Sequence, residues 1–128
     1  MRIGLSGCDI GVSWMLPRLI GSARAFELLL TGRIIDSAEA EKINLVTKVV
    51  PDDQLLDAAL ETARLIRGNS PFGVWMTKEV MWSQLEIPSL QAGIDLENRN
   101  QILSSMTEDM QEAMAAFLEK REPSFRYR

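Results

Sequence analysis

Residues 7–21 read GCDIGVSWMLPRLIG, a run of glycines, apolar side chains and one carboxylate ahead of the helical part of the chain. Asp9 precedes the apolar run, so its carboxylate could cap a helix by accepting from backbone N–H groups two or three residues on. Alternatively, Asp9 is an acid–base group beside a bound ligand, with Gly7 and Gly11 allowing close backbone approach. Both interpretations stay open on the residues alone. Cys8 has no base to activate it and is expected to be a small buried side chain.

The composition limits the chemistry open to these 128 residues. They include no histidine and one cysteine, which excludes Ser-His and Cys-His relays, an internal disulfide and a metal site built on either residue type. The formal net charge of −4 argues against a general nucleic-acid binder. No apolar stretch approaches the roughly 20 residues of a membrane span, and the N-terminal residues lack a signal-peptide core. We therefore expect a cytoplasmic protein without a membrane partner.

Capping and stop signals divide the chain into mostly helical segments. Six Ser, Thr or Asp residues stand at predicted helix starts: Ser22, Asp36, Asp52, Ser70, Ser89 and Thr107. Two short strands are predicted between helices, at residues 33–35 and at LVTKVV, residues 45–50, before Pro51. The last helix is predicted to end near Arg121. The pattern therefore predicts a mainly α fold with two short strands.

The helix predicted from Ser89 has a polar middle, ENRNQ at residues 97–101, between apolar ends. An isolated bundle rarely places five polar residues across every face of one helix. Two short strands also form too small a sheet to support a core. The helices are therefore expected to pack on something outside this chain, either a missing domain, a partner subunit or both.

The C-terminal stretch AFLEKREPSFRYR, residues 116–128, interleaves cations with aromatic side chains. Its charged and ring-bearing residues are Lys120, Arg121, Arg126 and Arg128, with Phe117, Phe125 and Tyr127 between them. Such a cluster suits a phosphorylated, ring-bearing ligand such as a nucleotide-like cofactor. The alternative is a helix C-terminus complemented by cations, followed by a solvated tail.

Three ordered stretches resemble the C-terminal half of the enoyl-CoA hydratase/isomerase (crotonase) family. They are GLSGCDIGVSWMLPRLIG at 4–21, ARAFELLLTGRIIDSAEAEKINLVTKVVP at 23–51 and TEDMQEAMAAFLEKREPSF at 107–125. The resemblance implies that residues 1–50 are the end of a spiral of ββα turns. It implies that residues 51–128 are the helical region that trimerises and helps cover the CoA site. A homotrimer or hexamer is expected on the same ground.

The resemblance also implies a chemistry and a site. The family stabilises the enolate of an acyl-CoA thioester with two backbone N–H groups while carboxylates move protons. Those N–H groups and the first catalytic Glu lie upstream in the family, and the second Glu falls at about Met1 or before it. Asp9 matches the acid–base Asp of dienoyl-CoA isomerase relatives. Lys120 and Phe125 match positions near the adenine and phosphates of CoA, and Phe117 lies on the same helix.

The predicted function is that of an acyl-CoA hydratase/isomerase of fatty-acid metabolism. Asp9 is the catalytic candidate, and the CoA-binding candidates are Lys120, Phe117 and Phe125. The only cofactor-like group expected is the coenzyme A carried by the substrate, and no metal is expected. This chain alone is expected to lack the oxyanion hole and to be inactive. The alternative is a non-catalytic helical module that oligomerises or binds acyl-CoA.

Overall fold

The computed structural model describes residues 4–126, which form seven α-helices and one 3-10 turn and are divided into two compact units between Leu55 and Leu56. The elements in chain order are α1 (Val12–Ile20), α2 (Ser22–Thr31), α3 (Ser37–Lys42), the 3-10 turn (Asp52–Gln54), α4 (Leu55–Arg67), α5 (Pro71–Gln84), α6 (Leu90–Ser105) and α7 (Glu108–Glu119). The mainly α fold class is confirmed. Met1 and the C-terminal Tyr127 and Arg128 lie outside the described residues. Within residues 4–126 no helix is long and apolar enough to cross a bilayer.

The first unit has a small apolar core. Helix α1 packs on α2, and Ile20, Ala25 and Ile43 are buried where α1, α2 and the end of α3 come together. The half-buried side chains of four further apolar residues pack around them: Leu16, Leu28, Ile35 and Leu45. Burial of these side chains is the main source of stability for this unit.

Four of the six residues at predicted helix starts are confirmed as caps. Each of the four accepts a hydrogen bond from the backbone N–H three residues on, at 2.7 Å for Asp36, 3.4 Å for Ser70 and Ser89, and 3.2 Å for Thr107. Helix α2 does begin at Ser22 as predicted, but its cap is Gly21. Asp52 begins the 3-10 turn before α4 and caps no helix, so the capping roles of Ser22 and Asp52 are wrong.

The two predicted strands are wrong, because no strand is formed within residues 4–126. Residues 45–50 are bends and extended chain without a neighbouring strand to pair with. Leu45 instead packs on the core, and the N–H of Val49 donates to the Glu41 carboxylate at 3.0 Å. Residues 33–35 are likewise extended and unpaired.

The second unit buries little of its apolar surface. Helix α5 packs on α6 and α6 on α7, yet only Gly93, Asp109 and Ala116 are buried among its described residues. The polar middle of α6 faces α5 in part. Its Glu97 accepts from the Gln84 side chain at 3.3 Å and lines a groove of about 330 Å³ between the two helices.

Candidate functional site

The carboxylate of Asp9 lies in an exposed loop just before α1. Its Oδ1 accepts from the N–H of Ile10 at 2.8 Å, and its backbone carbonyl accepts from the N–H of Val12 at 2.9 Å. No donor among residues 4–126 reaches its other side-chain oxygen. One oxygen is therefore held by the backbone while the second stays open to a ligand.

The interpretation of Asp9 as the helix cap is wrong. The N-cap of α1 is Gly11, two residues further on, and no side chain caps that helix. Glycine is required there by its left-handed φ of 87°. Gly7 packs close to α2, since a Cβ at this position would lie 3.0 Å from the carbonyl oxygen of Leu29. The close approach expected at Gly7 is thus to the protein itself.

The residue that follows Asp9 has a strained, left-handed backbone conformation. Ile10 has a φ of 43°, and its side chain is 96% exposed, so no packing accounts for this conformation. A β-branched residue rarely adopts a left-handed conformation, and strained backbone of this kind is concentrated at functional sites. Cys8 is exposed, which contradicts the buried position expected for it.

At the other end of the chain, α7 ends in a Schellman motif. The N–H of Lys120 donates to the carbonyl of Phe117 at 3.3 Å, and that of Arg121 donates to the carbonyl of Ala116 at 3.0 Å. Lys120 occupies the left-handed position, φ 53°, where glycine is usual. Phe117 is 78% exposed and Lys120 is exposed. The structure therefore brings these two candidates to the same exposed end of α7.

Phe125 lies in a different setting from Phe117. It is half-buried and lines a cavity of about 130 Å³ together with residues at the start of α5 and along α7. Phe72, Thr107 and Met110 are among its neighbours there. The cavity is about the size of one aromatic ring.

Two carboxylates of α7 were not singled out by the sequence. Glu112 accepts from both terminal nitrogens of Arg121, at 2.6 and 3.0 Å, and from the N–H of Ser124 at 2.8 Å. The hydrogen bonds from Arg121, followed by that from Ser124, lower the pKa of Glu112 to about 2. Asp109 is 2% exposed and accepts from the Ser70 hydroxyl at 3.2 Å and from the N–H of Arg126 at 2.8 Å.

A sequence signal for this pair exists. Asp109 and Glu112 are three residues apart, which puts both on one face of a helix. Arg121 is the second residue after the last helical residue, Glu119, where the chain can turn back. The acidic residues Glu108 and Asp109 of the first turn indicate by themselves only a favourable helix start, because nothing in the spacing reveals which backbone N–H groups return to α7.

Comparison with known proteins identifies the family. The enoyl-CoA hydratase/isomerase family model matches residues 1–128. A protein of Mycobacterium tuberculosis described as a probable enoyl-CoA hydratase, echA12, is 45% identical over 123 residues, covering 95% of this chain and 43% of that protein. A probable enoyl-CoA hydratase of Rhizobium meliloti is 42% identical over 119 residues, covering 93% of this chain and 46% of its own length.

Solved structures agree with these relatives. The crystal structure of an enoyl-CoA hydratase from Bacillus anthracis superposes with a TM-score of 0.92 at 35% identity, covering 99% of this chain and 48% of that one. A probable enoyl-CoA hydratase/isomerase from Mycobacterium abscessus gives 0.87 at 38% identity, covering 99% and 49%. The chain belongs to the enoyl-CoA hydratase/isomerase family. It spans about half the length of the relatives that it matches.

Proposed function

We propose that these residues form part of an acyl-CoA hydratase/isomerase of fatty-acid metabolism in which Asp9 is an acid–base group. The observation that carries the proposal is the Asp9 carboxylate. One of its oxygens is fixed by the Ile10 N–H at 2.8 Å, and the other is open, next to a strained and exposed residue. A fixed carboxylate with one open oxygen can take up and return a proton beside a bound thioester.

The CoA end of the substrate is assigned to the C-terminal end of α7 and the residues that follow. Lys120 supplies an exposed cation for a phosphate, while Phe117 and Phe125 supply ring surface for the adenine. CoA enters as part of the substrate, so the proposal includes no separate cofactor or metal. The enolate would be stabilised by backbone N–H groups outside these residues, and we therefore expect residues 1–128 alone to give no turnover.

The test is a pair of assays, crotonyl-CoA hydration and dienoyl-CoA isomerisation. Each is run with the chain alone and with the chain joined to the upstream half of the Bacillus anthracis relative. We expect activity only in the joined form, and Asp9→Asn should lower kcat by about 10²–10⁴-fold, the usual contribution of general acid–base catalysis. Asp53→Asn, an exposed aspartate of the 3-10 turn, is the matched control. Unchanged kcat in Asp9→Asn would remove Asp9 from the chemistry.

A second candidate function rests on the exposed apolar surface of the second unit. Leu56, Leu65 and Leu118 are 70%, 68% and 74% exposed. Such surface favours a helical module that assembles into a homotrimer or hexamer and binds acyl-CoA without turning it over. Sedimentation equilibrium measures the assembly, and a joined form that oligomerises and binds crotonyl-CoA without converting it would favour this candidate.

A further inference from the structure

The residues after α7 double back along that helix. Ser124 donates its N–H to Glu112 at 2.8 Å, and Arg126 donates its N–H to Asp109 at 2.8 Å. The order of acceptors on α7 is the reverse of the order of donors, so residues 121–126, here called the C-terminal segment, run antiparallel to α7. Its two donors are two residues apart and its two acceptors are one helical turn apart.

The two acceptors are anchored independently of the C-terminal segment's backbone. Asp109 is 2% exposed, and its second oxygen accepts from the hydroxyl of Ser70, the residue that caps α5. Glu112 is fixed by the two terminal nitrogens of Arg121. Each carboxylate is therefore held in a defined position. The backbone N–H groups of Ser124 and Arg126, which donate to these carboxylates, are held in position as well.

Phe125 is the residue between the two bonded N–H groups. Its ring lines the cavity of about 130 Å³ shared with the start of α5 and with α7. Backbone bonds on both sides of one residue fix its Cα and the direction of its Cα–Cβ bond, and the residues that line the cavity limit the remaining orientations of the ring. The ring position is thus set by Asp109 and Glu112, neither of which needs to touch a ligand.

We propose that Asp109 and Glu112 are positioning residues, which hold the C-terminal segment along α7 so that Phe125 is preplaced for the adenine end of acyl-CoA. This inference rests on the proposed function, because it takes Phe125 as a CoA contact. Preplacing the ring removes the cost of ordering it at the moment of binding.

Two matched pairs of variants test the proposal in the 128-residue chain. Glu112→Ala removes the acceptor for the backbone N–H of Ser124. Glu119→Ala removes a carboxylate that accepts from the Nε–H of the same Arg121, at 2.6 Å, but from no backbone N–H of the C-terminal segment. Ser124→Pro removes the donor while leaving α7 unaltered, and Ser124→Ala keeps it. Circular dichroism checks the helices of each variant.

Two quantities are measured for every variant: amide hydrogen exchange at Arg126, and the Kd for crotonyl-CoA by calorimetry. Glu112→Ala and Ser124→Pro should speed exchange at Arg126 at least about tenfold. They should also raise the Kd about two- to tenfold, the equivalent of ordering one side chain. Glu119→Ala and Ser124→Ala should change neither quantity, and Glu112→Gln, which keeps an acceptor oxygen, should restore most of both.

The remaining outcomes separate this proposal from the one it rests on. Phe125→Ala should raise the Kd at least as much as Ser124→Pro does, because it removes the ring contact itself. If it does so while Ser124→Pro speeds exchange without changing the Kd, the positioning role is overturned and the CoA contact stands. If Phe125→Ala leaves the Kd unchanged, or the unsubstituted chain binds no crotonyl-CoA, the assignment of Phe125 fails and the positioning role fails with it. If exchange at Arg126 stays slow in both Glu112→Ala and Ser124→Pro, then Glu112 does not hold the C-terminal segment along α7.

Discussion

Helices α3 and α7, one in each unit, end in the same backbone motif and are closed by different forces. In both, the residue after the cap is left-handed: Asn44 with φ 62° and Lys120 with φ 53°. The matching bonds are present as well, since Leu45 donates to Ala40 at 2.9 Å just as Arg121 donates to Ala116 at 3.0 Å. Both ends are therefore Schellman motifs.

The residue that follows the left-handed position separates the two ends. A Schellman motif usually brings an apolar contact at this point, and Leu45 makes it by packing on the core of Ile20, Ala25 and Ile43. Arg121 replaces that contact with ion pairs to Glu112 and Glu119. The first end is closed by apolar burial and the second by charged hydrogen bonds.

The two left-handed residues, Asn44 and Lys120, also differ in how readily each adopts that conformation. Asparagine visits this conformation readily, because its short side chain bonds locally, whereas lysine gains nothing from it. Lys120 therefore adopts the left-handed conformation that the Schellman motif requires at a larger cost in strain than Asn44 does.

The largest expected effect is at the position before the left-handed residue, which is buried in α3 and exposed in α7. Ile43 is 6% exposed, so Ile43→Ala should lower the free energy of unfolding by about 2–5 kcal/mol through lost burial and a cavity. Its counterpart on α7 is Glu119, whose side chain is 61% exposed, and Glu119→Ala should leave stability almost unchanged. Urea unfolding followed by circular dichroism measures both. Equal losses of unfolding free energy in the two variants would contradict the distinction between a helix end closed by apolar burial and one closed by charged hydrogen bonds.

A smaller effect of opposite sign is expected at the left-handed residues themselves. Lys120→Gly should raise the free energy of unfolding by about 0.5–1 kcal/mol, since relief of left-handed strain exceeds the entropy cost of glycine. It should also raise the Kd for crotonyl-CoA about two- to fivefold, as for loss of an exposed ion pair. Asn44→Gly should change stability by less than about 0.5 kcal/mol and leave binding unchanged.

Lys120→Arg is the control for that pair, because it keeps both the charge and the strain. It should match the unsubstituted chain in urea unfolding and in calorimetry. A Lys120→Gly chain that is more stable and binds crotonyl-CoA as before would remove Lys120 from the ligand contacts.

The sequence predicts the helices well because helix signals are local. The caps at Asp36, Ser70, Ser89 and Thr107 each depend on a residue and an N–H three positions later, and all four form. The predicted strand at residues 45–50 is wrong because β-branched composition carries no information about a pairing partner. The conformation of this segment depends on contacts made by Leu45 with the core and by Val49 with Glu41, which the local pattern does not reveal.

The candidate site was predictable to a lesser degree. The residues alone suggest Asp9 and Lys120 as candidates and the family resemblance gives them roles, but the left-handed backbone beside Asp9 and at Lys120 could not be anticipated from the sequence. Asp109 was hidden for another reason: it lies in an acidic first turn of the kind that usually faces solvent. Its burial depends on Ser70 and Arg126, which are 39 and 17 residues away in the chain. Contacts over such separations are set by packing and not by local pattern.

The smallest expected effect is a loss of stability at acid pH, caused by protonation of Glu112 at the end of α7. The pKa of Glu112 is about 2 in the folded chain against an ordinary value of 4.5, so the unfolded chain takes up this proton first as the solution is acidified. The stability contributed by Glu112 should be fully present above about pH 4.5 and should be lost as the pH falls through about 2. Because the ion pair with Arg121 is partly exposed and screened by salt, the change should be modest.

Hydrogen exchange, corrected for its intrinsic pH dependence, locates this change in the molecule. Protection of the Ser124 and Arg126 amides should fall between pH 4.5 and 2, while protection of the Leu45 amide at the apolar end should fall much less. The pKa values of Glu27 and Glu39 are also lowered, chiefly by hydrogen bonds from Arg33, so some acid sensitivity of the first unit remains in every variant.

Glu112→Gln should remove the acid-dependent loss of protection at the Ser124 amide, because its side chain no longer titrates. Glu119→Gln should retain that loss. A Glu112→Gln chain that loses Ser124 protection on acidification as the unsubstituted chain does would assign the titration to another group and leave the two helix ends alike.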